Sequence, residues 1–168
     1  MDAPAISTKN LIEKNIWEVI GLDISEEAQS EQLTEFTEAA WLLLIDQKLP
    51  KVIGQGEYKS LCESFNSKSV SIDQFVQRIQ DIYAANGADI NKDFDEAMEE
   101  VLEIFVEDQI AFLEKRIKAI KDETERGVKL SLINNLKELF TSKQWDQMGE
   151  IFKKIEGYQL PESLVLHL

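Results

Sequence analysis

One cysteine and one histidine stand in a chain of 168 residues. The single Cys62 excludes a disulfide within the chain and any cysteine-built metal cluster. It sits in Tyr58-x-x-Leu61-Cys62-x-x-Phe65, on an apolar helical face where a thiol behaves as a small buried hydrophobe. The single His167 leaves no material for imidazole-rich transition-metal sites or for the Glu-x-x-His pairs of di-metal helical bundles. A Ser-His-acid or Cys-His centre would have to be built on that one residue. Prolines (three) and glycines (seven) are few, and the long patterned segments avoid proline, which favours helix. Sustained period-2 alternation is missing, so no half-buried strand is expected. The opening Met1-Asp2-Ala3-Pro4-Ala5-Ile6 has neither a basic nor an apolar region of a signal peptide. The longest apolar run, Ala39 to Ile45, is far short of a bilayer span. No membrane insertion and a cytoplasmic location are therefore expected. Cations are scarce too: 18 against 32 acids, a net charge of −14. That field repels phosphate backbones and offers no basic footprint, which argues against direct nucleic-acid binding and is compatible with a basic protein partner.

What is present is a repetition. Leu33-Thr34-Glu35-Phe36-Thr37-Glu38 aligns with Leu102-Glu103-Ile104-Phe105-Val106-Glu107. Leu61-Cys62-Glu63-Ser64-Phe65-Asn66-Ser67-Lys68 aligns with Leu136-Lys137-Glu138-Leu139-Phe140-Thr141-Ser142-Lys143. A further apolar pattern follows each block, Phe75–Ile79 and Ile151–Ile155, in the same order. Such spacing implies stacked supersecondary units. The expected fold is all-α, a helical bundle of about six to eight helices in two tandem similar units sharing a core. Residues 1–24 are expected to form an N-terminal helix packed on the first unit. Residues 25–92 and 93–159 form the two units, and 160–168 an apolar tail.

Element by element, the periodicity predicts a helix from about Ser7 or Thr8 to Ile20, stopped by Gly21. Ser25 caps a second, which Pro50 limits. Gly54-Gln55-Gly56 is a turn; with no strand before it, it is not a phosphate loop. A helix through Tyr58 and Phe65 follows, then a linker at 66–69. Ser71-Ile72-Asp73-Gln74 reads as a capping box. The longest helix is expected from Asp93 to about Glu123, acidic through Glu114 and mainly basic from Lys115 to Lys121, a polarity that suits the helix dipole. Arg126-Gly127 is expected to break it before two last helices. Phe36, Leu44, Leu61, Phe65, Phe75, Phe105, Phe112, Leu136, Phe140 and Phe152 are the expected core. Trp17, Trp41 and Trp145 join it, the first two near the edges of their stripes.

Three groups of residues are candidates for a site. Asp89, Asn91, Asp93, Asp95 and Glu100 occupy positions 1, 3, 5, 7 and 12 of a calcium loop. Position 6, which needs glycine, is Phe94, and position 8, usually aliphatic, is Glu96; helix capping accounts for the same acids. Glu96, Glu100, Glu103 and Glu107 form a carboxylate stripe at helical spacing. Leu164, Val165, Leu166 and Leu168 make the tail unusually apolar, as a docking segment would be. No catalytic, cofactor-binding or metal residue is assigned, and no cofactor is expected.

Gly21-Leu22-Asp23-Ile24-Ser25-Glu26-Glu27, running into 33–49 and ending at Pro50, resembles the opening of small all-helical domains of unknown function from uncultivated, small-genome bacteria. The resemblance covers about 11–85, with an echo in 93–156. It implies a helical fold and transfers no activity and no functional residue. The function expected on these grounds is a non-enzymatic acidic interaction module: an adaptor, assembly subunit or inhibitor. Two alternatives stand beside it. One is an acidic decoy that mimics nucleic acid and occupies a basic protein's groove. The other is a calcium-responsive helical module resting on Asp89–Glu100. The oligomeric state is left open by the sequence.

Overall fold

Local hydrogen bonding explains most of the observed element boundaries. The computed structural model describes residues 10–66 and 71–155, and among these it is all-α with no strand. A 3₁₀ turn at Leu11–Glu13 precedes α1 (Ile16–Val19). Then come α2 (Glu26–Leu43), a π-helical turn (Leu44–Lys48) and α3 (Leu49–Ile53). α4 (Gln55–Asn66), α5 (Ile72–Ala85), α6 (Ile90–Lys118), α7 (Glu123–Thr141) and α8 (Trp145–Lys154) complete the described residues. Among the described residues no helix is long and apolar enough to cross a membrane.

The expected first helix is interrupted at Lys14 and Asn15, both in extended conformation. Asn15 accepts a hydrogen bond from the Trp17 N–H through its side chain, because asparagine caps a helix better than it continues one. Gly21 ends α1 as expected, at φ +68°. Leu22 N–H bonds to the Trp17 carbonyl and Gly21 N–H to that of Glu18, the paired 6→1 and 5→2 bonds of a Schellman stop. Pro50 does not end the second helix. α2, the π turn and α3 make one helical run from Glu26 to Ile53. The wider turn before Pro50, closed by Leu49 N–H on the Leu44 carbonyl, spares the ring the clash that an unbroken α-helix would impose. Ser71 and Gln74 form the reciprocal capping box.

α6 starts earlier than expected. Asp89, not Asp93, accepts from the N–H groups of Asn91 and Lys92. It also ends earlier, at Lys118, since Asp122 accepts from Glu125 N–H at 2.8 Å and opens α7. Arg126 and Gly127 therefore lie inside α7 and break nothing.

The chain falls into two compact units. One comprises residues up to Leu33 together with those from Val101 onward; the other is Thr34–Glu100. These units cut across the tandem boundaries read from the sequence. Within the first of them α1 packs on α8. Gly149 passes so close to Glu18 that a Cβ there would collide with the Glu18 carbonyl oxygen, and a Cβ on Gly21 would stand 2.6 Å from the Gly149 carbonyl oxygen. Lys14 bonds Asp146 at 2.5 and 2.7 Å across the same contact.

In this discontinuous unit Leu11, Trp17, Ile20, Phe105, Leu113, Leu136, Trp145 and Phe152 are among the buried side chains, with Trp17 edge-on to Phe105 at 6.1 Å. In the 34–100 unit, Phe36, Leu44, Leu49, Leu61, Ile79 and Tyr83 are buried. Four expected core aromatics are only half-buried: Phe65, Phe75, Phe112 and Phe140. Phe65 and Phe75 cover each other at 4.2 Å. Phe112 lies under the Arg116 guanidinium, 5.6 Å from the ring centre, so a charged side chain shields it instead of the interior. Phe140 meets Trp145 edge-on at 5.6 Å, and Trp145 takes the inner position. Trp41 is also half-buried, tilted against Phe94 at 5.1 Å.

Candidate functional site

α6 carries both acidic candidates, and its geometry treats them differently. Positions 1 to 12 of the calcium spacing are the cap and first turns of a helix, not a loop. Asp89 spends one carboxylate oxygen on backbone N–H groups. Asp93 accepts from the Tyr83 hydroxyl at 2.9 Å, a bond that, after burial, helps push that hydroxyl well above its ordinary range. Asn91 and Asp95 are exposed, and Glu100 is half-buried. On a helix, side chains two residues apart project to different sides, so alternating positions do not converge on one ion. Among the described residues no three acidic, histidine or cysteine side chains gather as a metal set.

The stripe Glu96, Glu100, Glu103, Glu107 is partly spent on folding. In the 34–100 unit Glu96 binds Lys48 at 2.6 Å. The ammonium holds this carboxyl below its usual range, and the carboxylate raises the lysine in return. In the other unit Glu103 binds Lys143 at 2.5 Å. Further along α6, Glu114 accepts from Lys137 at 2.7 Å and pairs with Lys118 at 2.9 Å, which lowers its pKa. Glu107 alone of the stripe is both exposed and without an ion pair among the described residues. The tail candidates Leu164, Val165, Leu166 and Leu168 lie outside the described residues.

A different helix presents the more continuous acidic face. Glu27, Glu31, Glu35 and Glu38 on α2 are separated by four, four and three residues, which places them on one side of the helix. Each is exposed, and none forms an ion pair among the described residues. Leu42, one turn further on the same side, is 56% exposed. Successive carboxylates rise by roughly 6 Å, as 1.5 Å per residue requires. Sequence reasoning misses this row, though a signal is there: no lysine or arginine occurs between Lys14 and Lys48. A helix whose own turns and flanks carry no cation cannot neutralise its acids locally. On α6, by contrast, the cations that quench the stripe come from distant positions, and adjacent sequence does not reveal them.

No protein-family model, curated protein or solved structure matches this chain. Every functional inference therefore rests on its own residues.

Proposed function

We propose that this protein is a non-enzymatic helical interaction module that receives a basic protein surface on the acidic face of α2. The supporting observation is the row Glu27, Glu31, Glu35 and Glu38, exposed and unneutralised among the described residues, with Leu42 at its end. Like charges one turn apart cost a helix about 0.2–0.5 kcal/mol per pair. A row of them is a standing, if small, penalty that a cationic partner would relieve. Charges of this kind act chiefly on encounter rate and on the choice of partner, and salt weakens them. The apolar Leu42 gives such a partner a desolvated contact beside the carboxylates.

The test is affinity capture from lysate of the source cells, with the full chain and with a Glu27→Gln, Glu31→Gln, Glu35→Gln, Glu38→Gln variant of equal thermal stability. The wild type is expected to retain Lys/Arg-rich proteins that elute as ionic strength approaches about 1 M, where the screening length falls to about 3 Å. The variant is expected to lose them. Equal retention by both proteins, or elution that ignores salt, would overturn the proposal. Competition by duplex DNA for the captured protein would identify the partner as a nucleic-acid binder and this chain as its decoy.

A further inference from the structure

We draw no further inference here: the strongest candidate, the cleft of about 240 Å³ lined by the end of α6, the first turns of α7 and Ile155, carries nothing because no part of the structure shows what covers it.

Discussion

At the scale of single residues, glycine has opposite meanings at two positions. Gly149 is buried where α8 touches α1, and the atom a Cβ would strike is a backbone oxygen, which cannot swing aside. Gly149→Ala is expected to cost about 3 kcal/mol, the upper part of the range for overpacking. Gly127 is exposed in the first half of α7, and the position a Cβ would take has no neighbour within 4 Å. Gly127→Ala is expected to stabilise by about 1 kcal/mol through helix propensity. Urea midpoints of the two variants check both signs; a neutral Gly149→Ala would remove the α1–α8 interlock described above. Among the described residues Lys143 is the non-glycine residue at positive φ, +53°, at the stop of α7. A left-handed backbone costs a residue that carries a Cβ about 1–3 kcal/mol. The exposed pair that Lys143 makes with Glu103 returns only about 0–1 kcal/mol. The first magnitude exceeds the second, so Lys143→Gly should raise the melting temperature, and a lower one would show that the contacts of the Lys143 side chain, the Glu103 pair among them, outweigh the strain.

At the scale of elements, α6 shows why some features were legible and others were not. The capping box at Ser71, the Gly21 stop and the polarity of the long helix are local, and the sequence states them. Asp89 and Asp93 both suit a cap, however, and the choice between them is made by Tyr83, which engages Asp93. Pro50 reads as a terminus because proline obstructs a regular helix; the π turn that accommodates it has no signature in composition. The apolar face of α6 drifts around its axis, so Val106, Ile110, Leu113 and Ile117 take the interior positions that the periodicity assigns in part to Phe112. The pairs that α6 makes also set a dependence on pH. Glu96 is held below its usual value by Lys48, so its unfolded form binds protons at higher pH than its folded form. The stabilisation is complete above the unfolded value, about 4.3, and is lost as pH falls through the lower folded value. Glu96→Gln should therefore destabilise at pH 7 and become indistinguishable from wild type in stronger acid. A difference between the two melting curves that does not shrink with acidification would contradict this assignment.

At the scale of the whole molecule, the net charge of −14 is unevenly placed, and the two acidic helices divide it by role. On α6, Glu96, Glu103 and Glu114 are joined to lysines from other elements, so these three acids are tied to the fold. α2 carries a row of carboxylates without an ion pair among the described residues, so its acids face outward as charge. The interlock of α1 with α8 has a consequence in time. Lys14 and Asp146 are 132 residues apart. Closing a loop of that length costs about 4 kcal/mol in chain entropy before any contact is made. Non-local contacts of this kind form slowly. During synthesis α1 leaves the ribosome well before α8, the helix it packs on. A chain stopped after Lys143 should leave residues 10–33 open to protease, and the full chain should protect them; protection in the shortened chain would disprove the dependence. Until α8 arrives α1 lacks the helix it packs on, and over that interval Ile16, Trp17 and Ile20, buried in the folded chain, are the segment for which an early-acting chaperone would compete.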